Sequence, residues 1–283
     1  MRLARIAALA VLIFGLTGSA LSQERRPISP QERNQYVISV RAGAVNIVEG
    51  DVTFQNENGK WDLLIAGDSL SDGNRVKTGQ DGRAEILLSP GSYLRLSKNT
   101  EIVFTETALD RLKIEVLNGC AYVEAARTDW DPGLLATVVT PQGEFFIAKG
   151  GLYRFNVTPD NRTEALVRKG RLLMRDSSIP RGGKKAWIEI PTDYGTMKVA
   201  GVGISENKRV VVEGGQPAIF SFKKEYEDEF DLWSKDRAKT LIAGNRRLKG
   251  RSGLGPVNVS AWVLDPFHGG FWFWPAYYGF RSP

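Results

Sequence analysis

The sequence is poor in the residues that build disulfides and metal sites. It contains one cysteine and one histidine in 283 residues. A single cysteine, Cys120, cannot form an intrachain disulfide, so the hydrophobic core must hold the fold together. One His and one Cys cannot supply a zinc or haem site of ordinary composition, which leaves only a site made of carboxylates. We therefore expect no cofactor and no bound metal.

Motifs of the common enzyme classes are also missing. The sequence contains neither a P-loop nor a G-x-S-x-G nucleophile elbow. Its densest acidic cluster lies where a helix is predicted to begin, and the helix dipole accounts for it: Glu225, Glu227, Asp228, Glu229 and Asp231. We predict a protein without enzymatic activity. A carbohydrate-active enzyme that uses two Asp or Glu residues is the alternative, because spacing alone does not test for such a pair.

The N-terminus has the pattern of a secretory signal peptide. Arg2 and Arg5 precede an apolar run over residues 6–16, and small residues follow it. This run is too short for a stable membrane span, which needs about 20 residues. We predict a signal peptide over residues 1–22, cleaved after Ser22 or Ala20, with a retained signal anchor as the alternative. The protein is then exported, to the periplasm or the cell surface.

The charge of the exported chain is nearly balanced. Without Arg2 and Arg5, 36 basic residues face 32 acidic ones, and the net charge falls from +6 to +4. Export and the lack of a recognition motif argue against a nucleic-acid partner. Four cations cluster in "NRRLKGR": Arg246, Arg247, Lys249 and Arg251. They are candidates for electrostatic contact with an anionic surface, including weak contact with a membrane surface, and the alternative is a solvated linker.

Residues 37–222 have the pattern of an all-β domain. Short runs rich in Val, Ile, Thr and aromatic residues recur about every ten residues between turns. A β-roll, a sandwich or a short β-solenoid fits this spacing. In "DGRAEILLSPGSYLRLSKNTEIVF", two alternating runs flank Pro90-Gly91 and predict a half-buried hairpin, with polar residues such as Glu85 and Arg95 away from the core. Further turns are predicted at Asn118-Gly119 and "PDNRT".

One segment breaks the β pattern and predicts an amphipathic helix over residues 223–244. Its larger side chains recur at helical spacing and would form one stripe: Tyr226, Phe230, Trp233, Arg237 and Leu241. Acidic residues at its start, cations near its end and Gly244-Asn245 after them agree with the helix dipole and with a C-terminal cap. We expect this helix to pack on the β domain, because its aromatic rings would otherwise be exposed.

Residues 245–283 are predicted to be a basic linker and an aromatic-rich tail. Nine aromatic residues lie between Trp262 and Phe280. Rings offer stacking surface with a polar edge, so four of them are candidate binding residues for a partner: Trp272, Trp274, Tyr277 and Tyr278. The alternative, which we favour, is a tail that folds back and covers the β domain.

Several short motifs resemble the FecR domain when taken in order. The segments "LKIEVLNGCAYVEA" and "VVTPQGEFFIAKGGLYRFNVTPDNRTEALVRKGRLLM" are similar to the later strands of that domain. The resemblance covers residues 37–174. It departs at Pro90, where the family usually has Asp, and at Lys149-Gly150-Gly151, where the family has R-G-T. The earlier motifs are Gly50-Asp51-Val52, Gly67-Asp68, Thr78-Gly79, residues 84–88, Gly91-Ser92 and Asn99-Thr100.

The resemblance implies a binding role rather than catalysis. FecR regulators of iron-transport signalling carry a cytoplasmic segment that controls a sigma factor, followed by a membrane span. Only five residues precede the apolar run here, so we do not expect that role to carry over. The resemblance implies a secreted, stand-alone FecR-domain protein, a non-enzymatic binding or scaffold module at the bacterial envelope. Its partner would be an envelope protein or a polysaccharide. A purely structural envelope component is the alternative.

Overall fold

The computed structural model of the protein describes the residues that carry its strands and its helix. These are residues 36–37, 42–56, 58–89, 91–126, 136–175, 184–192, 195–223, 227–250, 261–264 and 271–274. The chain divides into two units, Met1–Asn34 and Gln35–Pro283, and all described residues belong to the second. The predicted signal peptide lies outside the described residues.

Strands dominate the described chain, and the all-β prediction with one helix is confirmed. The helix is α1 (Glu229–Gly250). The strands in chain order are β1 (Tyr36–Val37), β2 (Ala44–Glu49), β3 (Val52–Gln55), β4 (Trp61–Leu63), β5 (Arg75–Thr78), β6 (Arg83–Ser89), β7 (Ser92–Leu96), β8 (Glu101–Glu106), β9 (Lys113–Ala125), β10 (Thr137–Thr140), β11 (Gly143–Val157), β12 (Thr163–Arg175), β13 (Lys184–Thr192), β14 (Gly195–Ser205), β15 (Lys208–Glu213), β16 (Gln216–Ser221), β17 (Ala261–Leu264) and β18 (Phe271–Trp274).

Fifteen of these strands form one branched sheet. Its main path runs β13-β14-β12-β11-β10-β9-β8-β5-β3-β4. The chain β2-β6-β7 joins the path at β9, and the pair β15-β16 joins it at β12. The pairs are antiparallel except for β9 with β10. Strands β1, β17 and β18 form a separate three-stranded sheet, so part of the predicted tail is a hairpin paired with Tyr36–Val37.

The core lies on one side of the alternating strands. Ile86, Leu94, Phe104, Tyr153 and Phe155 have no exposed surface. A fully buried side chain of this size contributes about 1.5–3 kcal/mol through removal of apolar surface from water. This core therefore supplies the main stabilisation of the sheet.

The two predicted turns have different outcomes. The "PDNRT" turn is confirmed, since β11 and β12 pair from Val157 and Thr163 outward. The turn predicted at Asn118-Gly119 is wrong, because both residues lie inside the 13-residue strand β9. Gly119 has a φ of +88°, and a Cβ there would lie 2.5 Å from the Cα of Thr100. The glycine thus allows a local irregularity where β8 crosses close to β9.

The hairpin of β6 and β7 is confirmed, but its predicted exposure is wrong. The two strands pair from Ala84 with Leu96 to Ser89 with Ser92. Glu85 and Arg95, predicted to lie away from the core, are fully buried. Both faces of the hairpin are covered, because α1 packs on the second face and its side chains pair with the charges there.

The helix packs on the sheet as predicted, with different ends. Phe230 lies 5.5 Å from the Tyr122 ring, centroid to centroid, and Leu241 is buried. The helix continues through Gly244 to Gly250 rather than covering residues 223–244. An interior glycine costs a helix only about 1 kcal/mol, and the Arg, Leu and Lys residues that follow favour helix. Within the described part of the chain, no helix has the length and apolarity needed to cross a membrane.

Candidate functional site

A buried cluster of charges joins the hairpin to α1. Glu85 accepts hydrogen bonds from Arg95 Nε at 2.7 Å, Arg237 Nη2 at 2.9 Å and Asn46 Nδ2 at 2.7 Å. Arg95 Nη1 lies 2.6 Å from Glu124 Oε2. Two guanidinium groups therefore face two carboxylates, and the cluster is electrically neutral.

These ion pairs hold the buried groups in their charged forms. Burial alone would raise the pKa of Glu85, but the charges of Arg95 and Arg237 outweigh it and lower that pKa. Burial likewise opposes the charge of Arg95, yet Glu124 and Glu85 raise its pKa. Neither group changes its protonation near neutral pH. The cluster is therefore suited to fixing the helix in place, not to transferring protons.

A second cluster fixes the first turn of α1. Asp231 Oδ2 lies 2.9 Å from Arg154 Nη1 and 2.9 Å from Arg168 Nη2, and the Tyr122 hydroxyl donates to Oδ1. Asp228 and Asp231 each accept a hydrogen bond from the other's backbone N–H at 2.9 Å. This reciprocal capping satisfies two N–H groups at the helix start. Asp231 thus belongs to the helix cap and also pairs with two arginines of the sheet.

The second cluster also shifts the pKa values of its members. Burial would raise the pKa of Asp228, but hydrogen bonds from Arg154 and from the Asp231 backbone lower it to about 2. Burial and the hydrogen bond to Asp231 raise the pKa of Tyr122. Burial of the Cys120 thiol raises its pKa to about 12, which makes the thiol a poor nucleophile.

A cavity of about 220 Å³ lies between the two clusters, at the junction of sheet and helix. Arg95, Asp231 and Ser234 contribute polar groups to its lining, and Leu152 and Ala238 contribute apolar surface. Arg95 is fully buried, and its Nη2 nitrogen has no hydrogen-bond partner among the described residues. An unsatisfied buried donor costs about 1–3 kcal/mol, so this atom marks the cavity as a candidate binding site.

The comparison with known families identifies the part of the sheet that forms this junction. Residues 74–173 match the family described as FecR protein. The chain contains a FecR domain. The match begins at Asn74, so Gly50-Asp51-Val52 and Gly67-Asp68 lie outside it, although the resemblance in the sequence extended to residue 37. Arg95 and Glu124 belong to the FecR domain, and Ser234 belongs to the helix that covers it.

Two solved structures are similar to the chain. Both are crystal structures of a proposed anti-sigma factor from Parabacteroides distasonis ATCC 8503. The first has a TM-score of 0.38 and 16% identity over 56% of this chain, and the chain spans 64% of its length. The second has a TM-score of 0.38 and 12% identity, and the match covers 71% of this chain and 97% of that one. No curated protein matches the chain.

Several motif residues of the FecR resemblance lie where β3, β5 and β6 approach each other closely. Gly79 N donates to Asp51 O at 2.8 Å, and Thr100 N donates to Thr78 Oγ1 at 2.8 Å. A Cβ on Gly82 would lie 2.1 Å from Asp51 O. These residues allow β3, β5 and β6 to approach closely. These contacts give Asp51, Thr78, Gly79 and Thr100 a role in packing.

The two charge clusters are built from other residues than the candidates predicted from the sequence. Trp272 and Trp274 are in β18, and the structure describes only their backbone. Tyr277 and Tyr278 lie outside the described residues. Arg246, Arg247 and Lys249 are in the last turns of α1, and Arg251 lies outside the described residues. Their roles stay predictions. Sequence reasoning missed the cavity, although Glu85 and Arg95 at paired strand positions, with Arg237 in the helix stripe, were a possible signal.

The described residues offer no metal site of carboxylates. Within the ranges given above, no group of three or more His, Cys, Asp or Glu side chains is arranged to hold a metal ion. The carboxylates of the junction are paired with arginines instead.

Proposed function

We propose that this protein is a non-enzymatic, exported binding or scaffold module that acts at the bacterial envelope in signalling. The observation that carries the proposal is the FecR domain over residues 74–173. The signal-peptide pattern of residues 1–22 supports export to the periplasm or the cell surface. The helix is held on the domain by ion pairs with little exposure, and this supports a rigid module, since salt screens such pairs much less than surface pairs.

The carboxylates favour binding over catalysis. A glycosidase needs one carboxyl group whose pKa is raised so that it can donate a proton near neutral pH. Among the described residues, each carboxyl group with a resolved shift has a lowered pKa: Glu85, Asp160, Asp228 and Glu229. This pattern supports a protein that binds without chemical turnover.

The proposed partner is an envelope protein or a polysaccharide, not a nucleic acid. An exposed apolar strip at one end of the sheet supports a protein partner. Leu63 is 71% exposed and Ile65 is 61% exposed, close to Trp61 in β4, which ends the main path of the sheet. Sheet edges with exposed apolar side chains are common sites of association.

Retention from envelope extracts tests the proposal. The purified protein is immobilised, and a membrane-free envelope extract and a cell-wall glycan fraction are applied separately. We expect saturable retention of a protein or a glycan that free protein competes away. Denatured protein, immobilised in the same way, serves as the control for nonspecific adsorption. If neither fraction yields competed retention, the binding role is contradicted and a purely structural role gains support.

Deletion of residues 267–283 tests whether the aromatic tail is the contact surface. We expect the deletion to lower the free energy of unfolding by several kcal/mol, because each ring buried in a cover contributes about 1.5–3 kcal/mol. An unchanged melting temperature with lost retention would contradict the cover and place the binding surface on Trp272, Trp274, Tyr277 and Tyr278. Substitution of Arg246 and Arg247 by Gln is the parallel test of the basic cluster.

A further inference from the structure

The cavity at the junction of the FecR domain and α1 offers a ligand a hydrogen-bond donor, whereas Asp231 and Tyr122 in its lining already accept hydrogen bonds from protein groups. Asp231 accepts hydrogen bonds at both carboxylate oxygens, from Tyr122 at one and from Arg154 at the other. Tyr122 also accepts a hydrogen bond from Arg168 Nε at 2.6 Å. Arg95 Nη2 is the buried donor that finds no partner among the described residues. A ligand that fits must therefore bring an acceptor.

The charges around the cavity favour a neutral ligand. The carboxylates and the cations of the lining are equal in number, and each carboxylate is paired with a cation within the same site. A net charge brought into this junction would have no counter-charge and would lose its hydration. The six charged lining residues are Arg95, Arg168, Lys235, Glu124, Glu227 and Asp231.

The kind of acceptor follows from the proton count. A hydroxyl group accepts a hydrogen bond but also has a proton that needs an acceptor, and the carboxylates of the lining are already paired with cations. A carbonyl oxygen has lone pairs and no proton to place. Leu152 and Ala238 can contact the apolar part of the same molecule. The cavity of about 220 Å³ equals the volume of about seven liquid water molecules, which is enough for a small organic molecule.

We infer that this cavity binds a small neutral ligand whose carbonyl oxygen accepts a hydrogen bond from Arg95 Nη2. The class includes amides and N-acetylated sugars. The inference does not depend on the proposed function, because small-molecule binding is measured on the purified protein without any macromolecular partner.

Ligand-observed NMR with chosen probes tests the inference. The probes are N-methylacetamide and N-acetylglucosamine, which carry an amide carbonyl, glucose, which offers hydroxyl groups, and the anions acetate and phosphate. We expect saturable millimolar binding of the two amides, with glucose and the anions weaker by about tenfold or more. A preference for N-acetylglucosamine over N-methylacetamide would identify the sugar as the source of the amide.

Two matched helix variants locate the binding. Ala238→Leu fills the cavity without removing a charge, and Ala243→Leu adds the same bulk at an exposed position of the same helix. We expect amide binding to weaken by about tenfold or more in the first and to stay unchanged in the second. Thermal melts confirm that both variants fold. Absent amide binding, equal glucose binding, tighter anion binding or an unaffected Ala238→Leu variant would each overturn the inference.

Discussion

Substitution of Glu85 by Gln is the sharpest test of the buried junction. Glu85 is fully buried and accepts hydrogen bonds from Arg95, Arg237 and Asn46. The Glu85→Gln change keeps the shape of the side chain but removes its negative charge. Arg95 then keeps its ion pair with Glu124, whereas Arg237 loses its ion pair with Glu85. Because an uncompensated buried charge loses its hydration without gaining a partner, the folded state must become less stable.

The expected loss can be estimated from the geometry. Removing one partner from a buried ion pair typically costs about 3–5 kcal/mol. Glu85 has no exposed surface and Arg95 has none, so solvent offers little screening, and we expect a loss in that range. Adding Arg237→Met restores neutrality. The double variant should therefore lose less than the sum of the two single variants, by about 1–3 kcal/mol.

Urea denaturation followed by circular dichroism measures these changes, with an unchanged m-value as the test of a common unfolding transition. The control is Asp236→Asn on the same helix, which breaks the exposed pair with Lys239 and should change stability by less than about 1 kcal/mol. If Glu85→Gln lowered the free energy of unfolding as little as this control, the result would show that water reaches the junction. That is the exposure predicted from the alternation of the hairpin strands alone.

Three further predictions concern acid, backbone and thiol. The pKa of Asp228 is about 2 in the folded protein and about 4 in an unfolded chain, so its contribution to stability is complete above pH about 4 and is lost as the pH falls towards 2. In an acid titration, the free energy of unfolding should therefore fall less steeply with pH in Asp228→Asn than in the wild type. Equal slopes would refute this. Gly119→Ala should cost about 1–3 kcal/mol in a urea titration, since φ is +88° and the new Cβ meets Thr100; Gly215→Ala, with φ +73° and open space around it, should cost less, and the reverse order would contradict the packing argument. The pKa of Cys120 is raised to about 12, so a thiol reagent at pH 8 should label the native protein far more slowly than the urea-unfolded one, and similar rates would show that the fold does not raise this pKa.

The local structure could be predicted because it depends on neighbours in the sequence. The alternation around Pro90-Gly91 predicted β6 and β7, and the spacing of Phe230 and Leu241 predicted α1. Asn118-Gly119 misled the prediction because the same pair allows either a turn or an irregularity within a strand. Only the approach of Thr100 from β8 decides between them.

The candidate site could not be predicted because its parts are far apart in the chain. Arg237 contacts Glu85 across 152 positions, and Ser234 contacts Arg95 across 139. Alternation along a strand shows which residues share a face, but not whether another element covers that face. Polar residues were therefore assigned to solvent when they were paired with each other beneath a helix. The aromatic tail and the basic cluster were predicted as binding residues because their composition is unusual within a short stretch of sequence.

The polarity of the covered face has a consequence for how the protein folds. The helix that covers it contacts Arg95 and Glu85 from more than 130 positions further along the chain, so the sheet can form while that face is still in water. Contacts of such long sequence separation form slowly. A newly made apolar face left open for that time would favour aggregation. Here the uncovered face of the sheet carries Glu85 and Arg95, which water can hydrate and which pair with each other. A sheet without its helix therefore resists aggregation until the helix docks and excludes the water.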